Sequence, residues 1–553
     1  MSVARVDRVP YSLAGFGQTL THDLAYGVPG ALSFFPARDF AAVVEQLRKK
    51  DYAREELAST LEADLRPFDP PEAVMKNVRL LREANTFVIA TGQQAGFLGG
   101  PLFTLYKAVS SIKLALQLNE QFAGRAKFVP VFWVAADDHD MPEIDHAHIL
   151  QPDGEVARVR IPLKTECVGC SAADVLPDSS PNAVAALKEE LAAALKDPLA
   201  AEALTACYAQ KSMSAAFTEQ MLRWLGGLGL IVVQSTAVRK FGRDILRREL
   251  SDFDITTRLI QEAAVRMKAV RYEPGFSAQM RSAPHFFVTH EPEKIRAALD
   301  VAGASGQIVF QERSAAFSER GAVPRTYLPQ QLDKLVDSRP ELFSASAALR
   351  PLVQQAAFPV AGAVLGPGEI SYWAQLHAVF QHFGEVFPVV LPRASATLID
   401  TPGQKAMRKL GIEPASPELF ADAETLQKRA AVSNEVGSSM QRNVDAILAH
   451  LAEMESEVQK VDGGLKSLFD KARERISHEL QRVAEKTQAS LGQREGAAVV
   501  RAKYLASLVR PRKALQERTL ACAPFLLRYP DLPRDLLDTL DPLAREHFVI
   551  TLG

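Results

Sequence analysis

A chain of 553 residues with 47% hydrophobic and 24% charged side chains is too apolar to be disordered, and it exceeds the roughly 250–300 residues over which one core keeps growing. Lys plus Arg number 64 against 66 Asp plus Glu, a net charge of -2, so no overall basic field draws in nucleic acid or an anionic membrane surface. The 4 cysteines cannot build a disulfide framework here, no apolar run reaches membrane-spanning length and no signal-peptide pattern opens the chain; a cytoplasmic protein without membrane or nucleic-acid partners is expected.

The first predicted strand, FVIA at 87–90, runs into TGQQAGFLGGP at 91–101 and then a helix from Leu102 to Leu118. Gly96, Gly99 and Gly100 permit tight turning, and the free N–H groups at a helix start favour an anion. Thr91, Gln93, Gln94 and Thr104 are candidate hydrogen-bond partners for it and Lys107 a candidate cation. The segment matches neither a Walker A loop nor GxGxxG, and the competing reading is glycine-assisted packing of helix on sheet.

The second strand, VPVFWVAA at 129–136, carries Trp133 as a further binding candidate and ends in DDHD at 137–140, with Glu143, Asp145, His146 and His148 close behind. Asp138, His139 and Asp140 are the catalytic candidates. At the carboxyl end of a buried strand they stand where open α/β sheets hold ligands, and Asp or His suits a general base that deprotonates an attacking amine. A solvated loop capped by aspartates, or metal ligation, are the alternatives. In the interval that follows, Cys167 and Cys170 form a CxxC; zinc needs a second ligand pair that Cys207 and Cys522 do not supply, which favours a reduced pair in a turn.

The third strand, LIVVQ at 230–234, leads into a helix from Val238 to Leu250. The fourth, PVAGAVL at 359–365, delivers LGPGEISYWAQL, with a helix expected from Ile370 to Phe383. Gly366 and Gly368 relax the backbone there, and Glu369 either binds an ammonium group or simply faces the positive end of the helix dipole. Tyr372 and Trp373 offer flat surfaces for a sugar or nucleobase, or else fill core. After the fifth strand, FPVVL at 387–391, Arg393 is placed to grip a carboxylate or phosphate. The alternation of strand, loop and helix predicts an α/β fold with a doubly wound parallel sheet, and three polar loops converging on one sheet edge.

From Pro392 to about residue 490 strands are expected to give way to charged helix. Leu451, Met454, Val458, Val461, Leu465, Leu468 and Ala472 alternate spacings of three and four, a coiled-coil seam interrupted by Gly463 and Gly464. A homodimer through this seam is favoured over an intramolecular helical arm. The expected division is a core at 1–150, 226–250 and 349–412, inserted subdomains at 151–225 and 251–348, a helical arm at 413–510, and a segment at 511–553 returning to the core.

Together, TGQQAGFLGGPLFTLYKAVSSIKLA, VPVFWVAADDHD, RPLVQQAAFP, LGPGEISYWAQL, VLPRASATL and RKALQERTL resemble the bacillithiol biosynthesis cysteine-adding enzyme family. The resemblance implies a Rossmann-like core with connective subdomains, similar to class I aminoacyl-tRNA synthetases, and a carboxyl-terminal coiled coil that makes a dimer. It further implies joining of L-cysteine to glucosaminyl malate. A cysteine carboxylate needs activation, so ATP or another nucleotide is expected, with Mg2+ as its counter-ion and no tightly bound protein metal. The alternative is a nucleotide-binding sensor or interaction module that signals through its coiled coil.

Overall fold

The computed structural model describes residues 3–14, 19–302, 308–426 and 435–553. Five runs of β-branched, aromatic and small residues pair into an all-parallel sheet: β1 (Thr86–Gln93), β2 (Lys127–Val134), β3 (Ile231–Gln234), β4 (Val360–Leu365) and β5 (Val389–Pro392). They read as nearly continuous apolar runs because both faces of such a sheet are covered. Their spatial order is β5-β4-β1-β2-β3. The chain winds from β1 through β2 to β3, then returns to the far side of β1, which leaves a switch point between β1 and β4. Ligands of open α/β sheets lie at such points, outside the strands' carboxyl ends.

Helix α1 (Phe103–Gln121) follows β1 and buries Leu114, Ala115 and Leu118 against Phe87, Ile89 and Phe128, with Val43, Val44 and Leu47 of helix Phe40–Leu47 in the same core. Helix α2 (Arg350–Ala357) enters β4 and α3 (Pro367–Trp373) leaves it. The helix predicted from Ile370 to Phe383 is two, α3 and His377–Phe383. The helix predicted from Val238 starts as a 3-10 turn at Ser235–Gly242 and runs on to Ala269, past the expected end at Leu250.

Two compact units divide the chain. The first comprises Met1–Gln151, Val156–Leu398 and Ala514–Gly553. Besides the parallel sheet it holds a five-stranded antiparallel sheet within residues 286–345, and a sheet of Val3–Pro10, Glu546–Leu552 and Ser395–Ile399. Ser395–Ile399 corrects the expectation that strands give way to helix from Pro392 to about residue 490: it is short and precedes long helical sequence.

The second unit comprises Pro152–Glu155 and Ile399–Lys513. Its main helices, α4 (Glu435–Val461) and α5 (Lys466–Val509), fold back on one another. Arg473 pairs with Glu455 across the hairpin, and the turn is closed by Gly464 N–H donating to Asp462 Oδ1 at 2.7 Å. The heptad positions read as one seam therefore lie on two antiparallel helices. Met454, Val461 and Leu468 remain 52%, 83% and 69% exposed, so the hairpin leaves these apolar residues uncovered.

Candidate active site

At the carboxyl ends of β2 and β3 lies a cleft of about 540 Å³, walled by Gln94, Trp133, the 137–140 loop, Glu143, Arg239, Phe287, Arg296, Phe343, Ser346 and Arg350 among others. Asp138 is fixed within it. Its Oδ1 accepts the backbone N–H groups of His139 (2.7 Å) and Asp140 (3.2 Å), and its Oδ2 accepts from Gln94 Nε2 at 2.8 Å. The same Gln94 nitrogen donates to Glu143. Asp137 is held by Arg239 Nε at 2.8 Å, while Asp140 is exposed at the rim.

His139 Nδ1 lies 2.9 Å from Arg296 Nη1. A guanidinium has no lone pair to offer, so Nδ1 accepts and the ring hydrogen sits on Nε2. Burial, then the charge of Arg296, hold the imidazole pKa below its ordinary value, with Asp138 and Asp140 pulling the other way. The expectation of His139 as proton acceptor is corrected by this contact: Nδ1 is occupied and Nε2 carries hydrogen. Arg296 in turn donates Nε to Ser344 Oγ (2.9 Å) and Nη2 to Ala345 O (3.2 Å), and stacks over Phe287 at 3.6 Å from the ring centroid.

At the switch point, Lys107 Nζ donates to Gly92 O (2.9 Å) and Gln93 Oε1 (2.8 Å) and forms an ion pair with Glu369. Glu369 Oε2 also accepts Gly366 N–H at 2.8 Å, and its Oε1 lies 4.0 Å from Arg350 Nη2. Arg350 donates to the half-buried Tyr372 hydroxyl and feels the charge of Asp138, which links this cluster to the cleft. Glu369 is thus already paired with a cation and with a helix-start amide, which favours the helix-start reading of it over the ammonium site. Gly368 is exposed beside it.

Other predicted binding residues serve the fold. In and after the 91–101 loop, four amides are used within the protein, which favours the packing reading over an anion cradle: Gly96 N–H on Gln94 O, Leu98 N–H on Tyr208 Oη, Gly100 N–H on Phe97 O and Leu102 N–H on Leu520 O, at 2.7–3.1 Å. Its glycines permit close packing; a Cβ at Gly99 would stand 2.5 Å from the Trp224 ring and one at Gly96 2.8 Å from Gly100 Cα. Thr91 Oγ1 binds Val364 O at 2.7 Å, and Thr104 is fully buried. Trp373 packs in the core against Phe380 and Phe387. Arg393 is buried and grips Glu517 at 2.6 Å instead of a ligand.

Arg239, Arg296 and Arg350 were not singled out as site residues in the sequence. Arg350 opens the RPLVQQAAFP segment, a faint signal; Arg239 sits in a 3-10 turn and Arg296 on an insert strand, where each resembles an ordinary surface cation. Cys167 and Cys170 are buried free thiols in a turn closed by Cys170 N–H on Cys167 O at 3.0 Å. Among the described residues no group of three or more His, Cys, Asp or Glu could hold a metal ion, and no helix is long and apolar enough to cross a membrane.

Residues 6–394 match the family model described as bacillithiol biosynthesis BshC, N-terminal Rossmann-like domain, and residues 396–552 the BshC C-terminal coiled-coil domain. Similar proteins include "Putative cysteine ligase BshC" of Salinibacter ruber, 30% identical over 94% of this chain and 93% of the relative. The same name is carried by proteins of Geobacillus thermodenitrificans, 30% identical over 87% of both chains, and Koribacter versatilis, 26% identical over 98% of both. With both family domains matched in order along nearly the whole length, the chain belongs to the BshC family of bacillithiol biosynthesis.

Proposed function

We propose that this chain is a cytoplasmic cysteine ligase that joins the carboxyl group of L-cysteine to the amine of glucosaminyl malate, forming the amide of bacillithiol. The supporting observation is a fixed carboxylate, Asp138, in a cleft that it shares with Arg239, Arg296 and Arg350, at the ligand edge of a sheet in a chain whose family match runs nearly its whole length. Amide formation requires a deprotonated amine and an activated carboxyl. Asp138, oriented by Gln94 and two backbone N–H groups, accepts the proton of the acceptor ammonium, which Asp140 and Glu143 at the rim attract.

A carboxylate is a poor electrophile at neutral pH, so activation by ATP or another nucleoside triphosphate, with Mg2+ as counter-ion, is part of the proposal. When bound, the nucleotide supplies the leaving group of an acyl phosphate or acyl adenylate. The donor chemistry of the cleft fits its phosphates: Arg239, Arg296 and Arg350 are the residues that would hold them. The glycine-bearing loop fits less well, the amides of Gly96, Leu98 and Gly100 being used within the protein. Dimerisation through the exposed apolar residues of the α4–α5 hairpin belongs to the same proposal.

The test is reconstitution of purified protein with cysteine, glucosaminyl malate, Mg2+ and each nucleoside triphosphate in turn, followed by mass spectrometry of the thiol product. Formation of the cysteinyl amide is expected with one triphosphate and not without it. No product under any of these conditions overturns the ligase reading.

A further inference from the structure

We infer that Arg296, the Nε2–H of His139 and the indole N–H of Trp133 form a receiving site for a small oxyanion, a carboxylate or a phosphoryl group. Arg296 is only 7% exposed, yet its hydrogen-bond partners are all neutral: Ser344 Oγ, Ala345 O and His139 Nδ1. Among the described residues no carboxylate comes within 4.0 Å of it. A buried cation without a counter-ion is costly, and the cost falls when an anion enters. Asp137 and Asp138 act on it from a distance, but Asp137 is already engaged by Arg239 and Asp138 by Gln94.

Two further groups point the same way. The contact with Arg296 places the His139 hydrogen on Nε2, turning the imidazole into a donor. Trp133 is 3% exposed, its Nε1 has no hydrogen-bond partner among the described residues, and its side chain lines the same cleft as Arg296 and His139. An orphaned buried donor calls for an explanation, and an incoming acceptor supplies one. All three groups offer hydrogens and none has a lone pair to spare. A ligand ammonium finds nothing to bind on that wall; an oxyanion satisfies every member of it.

The proposed ligase reaction contains this chemistry twice, in the malyl carboxylates of the acceptor and in the phosphates of an activating nucleotide. Assignment to either source rests on the ligase reading, whereas the oxyanion site does not. The test is calorimetric titration of the full-length protein, free of cysteine and nucleotide, with L-malate and separately with inorganic phosphate. Saturable binding of at least one is expected, weakened about tenfold or more by Arg296→Gln and several-fold by Trp133→Phe, which removes the N–H and keeps the shape. Malate binding alone assigns the site to the acceptor, and phosphate binding alone to the activating group. Should Arg296→Gln fail to fold, Trp133→Phe and His139→Phe carry the comparison.

No binding of either anion at millimolar concentration, or binding unchanged in the variants, overturns the site. Anion binding by a protein that yields no thiol product on reconstitution leaves the site standing and removes the ligase reading; product formation without any anion binding does the reverse.

Discussion

Lys107 of α1 and Glu369 of α3 form an ion pair, with the lysine side chain 3% and the glutamate 17% exposed, and the same lysine donates to Gly92 O at the end of β1. Through Gly92 O on one side and Gly366 N–H on the other, the pair links the carboxyl ends of the two strands flanking the switch point. Lys107→Met or Glu369→Gln, each leaving one partner uncompensated, is expected to cost about 3–5 kcal/mol in urea unfolding. The double variant Lys107→Met with Glu369→Leu is expected to cost less than either.

Asp138→Asn keeps the size of the side chain and removes the proton acceptor. The expected outcome is a kcat for amide formation lower by about 10²–10⁴ with little change in KM for cysteine. Steady-state assay of the thiol product reads this, and an unchanged kcat would transfer the role to another group.

Gly92→Ala would place a Cβ 2.5 Å from the backbone oxygen of Trp133 on the neighbouring strand, which a side-chain rotation cannot relieve. A loss of roughly 1–3 kcal/mol is expected, because overpacking forces a shift between β1 and β2. The strand shift also displaces Trp133, so weakened ligand binding should accompany the lower melting temperature.

Glu249 is fully buried and accepts hydrogen bonds from Thr256 Oγ1 (2.7 Å) and His285 N–H (3.0 Å). Burial pushes its carboxyl from 4.5 up to about 7, against the opposing pull of those two bonds. The folded chain therefore binds more protons than the unfolded one between these values, and stability falls as pH rises through that window. Glu249→Gln is expected to match the parent near pH 4, below the unfolded value, and to exceed it at pH 8 by roughly 3 kcal/mol at most. Denaturation at the two pH values decides it.

For the hairpin, Leu468→Glu combined with Ile476→Glu charges two residues that are 69% and 41% exposed. Light scattering is expected to show a dimer in the parent and a monomer in the variant, with unchanged helix content. A parent that is monomeric at micromolar concentration would remove dimerisation from the proposal.

The five parallel strands were legible because strands covered on both faces leave continuous apolar runs such as FVIA and FPVVL. Their carboxyl ends were equally legible, since polar residues placed straight after such runs, at Gln94 and at Asp138, have one edge on which to collect. The arginines escaped because their place in the cleft depends on partners distant in the chain: Arg296 meets His139 across 157 positions. Arg393 misled for the converse reason, its partner Glu517 lying 124 residues away. The loop at 91–101 misled because glycine spacing looks the same whether a phosphate or the ring of Trp224 approaches the backbone.

The strand order bears on how the chain is made. One side of β1 is free of its partner until β4, at residues 360–365, has been synthesised, tens of seconds later at roughly 5–20 residues per second. During that interval the nascent protein carries an apolar, unpaired strand edge of the kind that chaperones shield. The same delay means that a fragment ending before β4 has no switch point at all, so a truncated product is inert as well as sticky.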